Sequence, residues 1–217
     1  MTASAPVPQR PKRGRPPRAA DDQAARKALI NAGLALLTER GYAAVGLDEI
    51  LRRAGVPKGS FYYHFASKAD FGLTLIAAYH DYMAQKLDRW LTDDSLPPLE
   101  RIRAFASDSE QGMARYDFTR GCLIGNLGSE TQSLVPEFEE RLKAVLSGWE
   151  ARTAQCLALA QKDGSIGQDQ SISDLAAYFW IGWEGAVLRA RLERHGGPLR
   201  LFIDGFMKLA TRTGPDR

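Results

Sequence analysis

Two short runs hold the side chains best suited to chemistry. The first is Lys58-Gly59-Ser60-Phe61-Tyr62-Tyr63-His64, an ammonium, a hydroxyl, two phenols and an imidazole within seven residues. Phe61 and Phe65 are four apart and share one side of a helix. Lys58, Ser60, Tyr62, Tyr63 and His64 are left to the other faces, where groups of this kind contact phosphates and base edges. The second run is Arg120-Gly121-Cys122-Leu123-Ile124-Gly125-Asn126. A thiol beside Arg120 and near a helix N-terminus would have a depressed pKa, and a thiolate adds to activated alkenes or is oxidised. The competing reading of Cys122 is a small buried hydrophobe. Cys156 falls on an apolar helical stripe and reads as core. Neither cysteine has CxxC spacing or a nearby histidine, so no metal and no cofactor is expected. His64, His80 and His195 fall on three separate elements, so no Cys–His pair for an enzyme can be assembled.

The first run needs a scaffold, and the residues before it provide one. Leu47, Ile50 and Leu51 mark one face of a short helix over 47–54. Gly55 supplies the left-handed exit, Val56 packs the turn, and the second helix spans 58–64. Helix, glycine turn and helix with a polar-aromatic outer face is the layout of a helix-turn-helix DNA reader. A preceding helix over 23–40 carries Leu29, Ala32, Leu36 and Leu37 inward and stops at Gly41. A following helix, 68–91, offers Lys68 at its start for a phosphate, with Tyr79, Tyr82 and Met83 packing inward.

Composition and charge agree with a DNA partner. The 217 residues are 44% hydrophobic and 25% charged, with net charge +3. Residues 1–20 hold five basic groups and no acid, so the remainder sums to −2, although 23–70 alone is +3. A positive N-terminal end on a mildly acidic body is the footprint of nucleic-acid binding at one end. The tail, 1–21, contains five of the eleven prolines and cannot form a core. Its Arg13-Gly14-Arg15-Pro16 resembles an AT-hook, in which Arg13 and Arg15 would enter an A·T-rich minor groove; a solvated basic tail giving salt-sensitive attraction is the alternative. Strand patterns, a signal peptide and membrane-length apolar runs are absent. The expectation is an all-α, cytoplasmic protein with free thiols and no membrane partner.

The run AGVPKGSFYYHFASKADF resembles the DNA-binding signature of the TetR family of transcriptional repressors over about thirty consecutive positions. Members usually carry threonine where Gly46 stands. Glycine caps a helix nearly as well, so the fold survives while one hydroxyl contact to DNA is lost. The resemblance implies about nine helices. A three-helix reader domain over 22–67 precedes an effector-binding and dimerisation domain over 68–213, whose last two helices pair with a second subunit. It implies a ligand-responsive repressor, not an enzyme, that binds a pseudo-palindromic operator as a homodimer. Lys58, Gly59, Ser60, Tyr62, Tyr63, His64 and Lys68 are its expected DNA contacts.

The later helices fit that plan. Pro97-Pro98 opens one reaching about Tyr116. Gly121, Gly125 and Gly128 make the next short and thin, open to close approach. A long helix over 136–162 has Phe138, Leu142, Val145, Trp149, Cys156 and Ala160 as its buried stripe. Two more span 171–194 and 198–212. Gly182, Ala186, Arg189, Phe202 and Phe206 are the expected dimer-interface residues; filling the monomer core is the alternative. RGCLIGNLGSE with WIGWEGAVLRAR resembles a subgroup holding acrylate-responsive AcuR-type and electrophile-responsive NemR-type regulators. The implied effector is a small unsaturated acid or other electrophile. Tyr116, Arg120, Cys122, Asn126, Trp149, Trp180, Trp183 and Glu184 are its candidate contacts, Glu184 being expected to pair with Arg189 or Arg120. Two other readings stay open, an effector-independent architectural DNA binder and a small cysteine-dependent helical enzyme.

Overall fold

The computed structural model describes residues 19–130 and 136–212, and every regular element within them is an α-helix. Arg13 and Arg15 of the proposed minor-groove arm lie outside the described residues. The order is α1 (Ala19–Arg40), α2 (Leu47–Ala54), α3 (Lys58–His64), α4 (Lys68–Leu91), α5 (Pro98–Ala114), α6 (Leu123–Gly128), α7 (Pro136–Lys162), α8 (Ile172–Glu193) and α9 (Gly197–Ala210). α1 begins at Ala19, inside the stretch assigned to the tail, and Asp21 and Asp22 in its first turn suit the positive end of the helix dipole.

Helix ends follow the local chemistry. Gly41 ends α1 at φ +84°, and Gly55 ends α2 at φ +66° with the Val56 amide returning to the Leu51 carbonyl, 3.1 Å. Both angles are left-handed, the region that glycine enters without a Cβ penalty. Gly46 caps α2 in extended conformation with no side-chain bond. Ser67 caps α4 by accepting from the Asp70 amide, while Asp70 accepts from the Ala66 amide, a reciprocal capping arrangement. Pro97 and Pro98 open α5, and Ser171 caps α8.

A single hydrophobic core runs through the reader and the body. Leu29, Leu36 and Leu37 of α1 are buried, as are Phe61, Phe65 and Phe71, whose rings meet at 4.8–5.3 Å. A Cβ at Gly33 would lie 2.7 Å from the Phe71 ring, so that glycine lets α1 settle against α4. In the body α7 and α8 press together through Trp149 and Trp180, with centroids 4.9 Å apart. The Trp180 indole N–H donates to Thr153 Oγ1, 3.0 Å.

The C-terminal end of α1 is fastened to the body. Its last carbonyls lack helical partners by construction. The Gly121 amide takes the Thr38 carbonyl. Asn126 Nδ2 donates to the carbonyls of Leu37 and Thr38, each at 3.0 Å, and the Arg191 guanidinium donates to the Glu39 carbonyl and to Asn126 Oδ1. Glu130 accepts from the amides of Tyr42 and Ala43, beside Lys68, whose ammonium donates to the Tyr42 carbonyl, 3.0 Å.

Candidate effector cavity and nucleic-acid interface

The reader face is α3. Phe61 is buried, while Lys58, Gly59, Tyr62 and Tyr63 are exposed and Ser60 and His64 are half-buried. Tyr63, at 72% exposure, packs edge to face with His64, with centroids 4.9 Å apart. Lys58 sits 3.9 Å from Asp48 at the surface, an ion pair too solvated to hold it back from a phosphate. Lys68 does not belong to this face. Its ammonium lies over the Tyr42 ring, 4.3 Å from the centroid, and in the Glu130 joint. Burial lowers its pKa, and the Glu130 charge partly offsets this. The expected phosphate contact of Lys68 is therefore corrected to an internal tie.

A cavity of about 580 Å³ opens between reader and body. α1 contributes Asn31, Leu34, Ala35 and Thr38; α4 contributes Tyr79, Tyr82, Met83 and Lys86; Trp183, Glu184 and Val187 come from α8, and the segment from α5 to α6 adds Tyr116, Arg120 and Cys122. Tyr82, Arg115 and Tyr116 are exposed and form the mouth, while Trp183, Cys122 and Val187 are buried and form the floor. Asp117 and Phe118, just past α5, both have positive φ, 50° and 52°. Neither is glycine, so this rim carries backbone strain.

Charge in the cavity is unevenly placed. Lys86 binds Asp108 at 3.1 Å, and the Trp90 indole donates to the same carboxylate. Burial lowers the Lys86 pKa, opposed by Asp108. Burial would raise Asp108, but its bonds to Lys86 and Trp90 outweigh that and hold its carboxyl below the ordinary range. Arg120 is spent on Glu39, 3.0 Å, and stacks on the Tyr116 ring, 3.8 Å. Arg189 pairs with Glu193 on its own helix. Neither arginine reaches Glu184, so the expected ion pair is replaced by a different contact. Glu184 faces Cys122, Tyr79 and Gly125. Burial pushes its carboxyl up to about 7, a hydrogen bond from Cys122 opposing.

The expectation of an easily ionised Cys122 is overturned by the same neighbours. Burial, then the Glu184 charge, push the thiol well above its usual value. Arg120 precedes it in sequence but turns to Glu39. Cys156 is buried, bonds the Pro98 carbonyl and is pushed up to about 11 by burial. Both cysteines are free.

Of the eight candidate effector residues, Tyr116, Arg120, Cys122, Trp183 and Glu184 meet in the cavity wall. Trp149 and Trp180 lie in the α7–α8 core, because two tryptophans on facing stripes bury more area against each other than a cavity would let them. Asn126 is drawn to the α1 carbonyls instead. Lys86, Tyr82 and the α1 residues were not expected. The signal for Lys86 was its place on the inward stripe Tyr79–Met83–Lys86, at steps of four and three.

The end helices also differ from expectation. Gly182 is overlain by the Phe202 ring, and Ala186 and Phe206 are buried within the chain. These residues and Phe202 join α8 to α9 of one chain. Arg189 is exposed. The outward face of the same helices carries Tyr178, Ile181, Leu188, Leu192 and Leu201, of which Ile181, Leu192 and Leu201 are 74–77% exposed. Along α8 they fall at steps of three and four, with exposed Gly185 between.

Among the described residues no helix is long and apolar enough to cross a membrane. Two family models match the chain: bacterial regulatory proteins of the tetR family over residues 29–72, and the tetracyclin repressor-like C-terminal domain over 98–206. The transcriptional regulator AcuR of Cereibacter sphaeroides is 52% identical over 95% of each chain. The HTH-type transcriptional repressor NemR of Escherichia coli is 28% identical over 80% of this chain and 87% of its own. A crystal structure of the regulatory protein TetR from Rhodobacter sphaeroides, 52% identical, aligns with 85% of this chain and 97% of that one at a TM-score of 0.84.

Proposed function

The chain belongs to the TetR family of bacterial regulatory proteins, and we propose that this ligand-responsive repressor releases its operator when a small unsaturated acid or other electrophile fills the cavity between α1 and the body. The observation that carries this reading is the cavity's shared wall, in which α1 of the reader faces α4 and α8 of the body. A ligand there touches both parts, so it can favour one of their arrangements over the other, which is the requirement for shifting an equilibrium.

Two copies joined through the outward α8–α9 face would place their α3 helices in successive major grooves, about 34–36 Å apart. Lys58, Ser60, Tyr62, Tyr63 and His64 then meet phosphates and bases. Five apolar side chains per copy favour this closure, at roughly 1.5–3 kcal/mol for each one fully buried. In the cavity, an effector carboxylate meets Arg115 at the mouth and Lys86 behind it, where Asp108 already holds the ammonium, while its apolar part lies along Met83, Met113 and Trp183. The volume is in the range that holds ligands larger than a three-carbon acid. The electrophile arm of the reading is supported by Cys122 in the floor.

The route to DNA runs through the α1 clamp. A ligand that displaces α6 or α8 pulls on Asn126 and Arg191, and through them on the last turn of α1. The test is fluorescence anisotropy of labelled operator DNA, titrated with acrylate and with saturated propionate. Acrylate should release the DNA, and Lys86→Met should need at least about tenfold more of it at unchanged operator affinity. Release indifferent to both the acid and Lys86 would refute this effector class.

A further inference from the structure

We propose that Glu184 is the base that makes Cys122 a nucleophile, taking its proton as the sulfur adds to an activated alkene in the cavity. This rests on the reading above that an electrophile reaches the cavity floor. Three observations support it. Cys122 and Glu184 line the same cavity, both beside Gly125, with the Cys122 Cβ 3.9 Å from where a Gly125 Cβ would stand. Glu184 has no ion-pair partner among the described residues, since the nearby arginines are held by Glu39 and Glu193. The helix passing beneath the pair is thinned at Gly125, where a Cβ would collide with the Glu184 carboxylate.

A buried carboxylate without a cation is costly to keep, and it also disfavours a thiolate beside it. Both penalties are avoided if the proton moves from sulfur to carboxylate as the S–C bond forms, because the site then never holds more than one negative charge, which passes from the carboxylate to the substrate's α-carbon and back. The sulfur lone pair attacks the β-carbon, the C=C π pair moves to the α-carbon, and Glu184 returns the proton to that carbon. The product is a thioether, with no oxidant or further reactant. The resting thiol thus stays inert until a substrate is seated, which separates a bound electrophile from general oxidation.

The groups facing the pair define its pH behaviour. From α4 comes Tyr79, whose own ionisation is pushed up by burial and then by Cys122 and Glu184. Asn31, Leu34, Ala35 and Thr38 of α1, and Ser109, Gly112 and Met113 of α5, carry no ionisable group. Lys86, Arg115 and Arg120 lie in the same wall. With Tyr79 neutral across the physiological range, the carboxylate is the group that titrates.

The experiment alkylates the full-length protein with acrylamide across pH 5–9 and follows Cys122 and Cys156 adducts separately by peptide mass spectrometry. Cys156 lies outside the cavity and bonds the Pro98 carbonyl, so its rate reports opening of the fold in every variant. Wild type should modify Cys122 faster than Cys156, with a rate that rises through pH 7 and then levels off. Glu184→Gln should slow Cys122 by at least about tenfold at pH 7.5 and replace the plateau with a rate rising tenfold per pH step. Glu184→Asp should lie between and keep the plateau. Faster reaction of Glu184→Gln with the wild-type profile, or an equal rate, overturns the base while leaving covalent capture intact. Wild-type Cys122 no faster than Cys156 overturns covalent capture itself, and the base with it.

Discussion

Replacing Glu184 by glutamine should stabilise this protein, and by an amount that depends on pH. The carboxyl rises from an ordinary 4.5 to about 7 on folding. At 1.36 kcal/mol for each tenfold change in proton affinity, that is about 3 kcal/mol between the ends of the titration. The sign follows from a folded pKa above the unfolded one. The native state holds the proton more tightly, so the contribution is fully present below pH 4.5, declines as pH rises, and is lost above 7. Glutamine is neutral throughout and has similar shape. The variant's advantage should therefore be small near pH 4, about 1 kcal/mol at pH 5 and about 3 kcal/mol at pH 8. The assay is urea unfolding of both proteins at one protomer concentration, since dimerisation contributes to apparent stability. Only the difference between them is used, which cancels titrations common to both. An advantage that stays constant with pH, or a less stable variant at pH 8, would refute the placement of an uncompensated carboxylate in the cavity wall.

Four further outcomes follow from the geometry. Ile181→Asp sets a charge in the outward α8 face, so sizing with light scattering should show a species near 23.9 kDa and operator binding should fail; a dimer of unchanged affinity would reassign the interface. Lys58→Ala should lower the slope of log K against log salt by about 0.9 for each lysine removed, and an unchanged slope would take Lys58 off the phosphate. Gly46→Thr fits, because a Cβ there meets nothing within 4 Å and the backbone is ordinary extended chain. Stability should move by less than about 0.5 kcal/mol while operator affinity rises severalfold through the added hydroxyl; no gain in affinity would show that this position faces away from DNA. Arg191→Leu removes the bonds to Asn126 and the Glu39 carbonyl; calorimetry should find effector binding within about twofold of wild type while DNA release is blunted, and full release would move the coupling elsewhere.

Much of the architecture was legible because it depends on neighbours in sequence. Gly41 and Gly55 end their helices through a backbone angle that belongs to the residue. Ser171 caps through a bond three residues long, and the stripe from Phe138 to Ala160 records one buried face. The α3 residues were legible for the same reason, since burying Phe61 leaves the rest outside. α8 was ambiguous because it is apolar all round. Periodicity gives two candidate faces there, and only the position of α9, pressed by Phe202 onto Gly182, decides that Ile181 and Leu192 look outward.

The sequence by itself determined nine helical segments within the described residues, a reader before a body, and a thiol at the start of a thin helix. Tertiary structure decided where charges find their partners. Lys68 turns from DNA to Tyr42 and Glu130, and Arg120 from Cys122 to Glu39. Glu184 is left without a cation beside the thiol it was not expected to touch. The physical reason is range. Capping and periodicity act over three or four residues, whereas a buried charge is set by whichever group is brought within a few ångströms, and those groups lie 26 to 81 positions away along the chain.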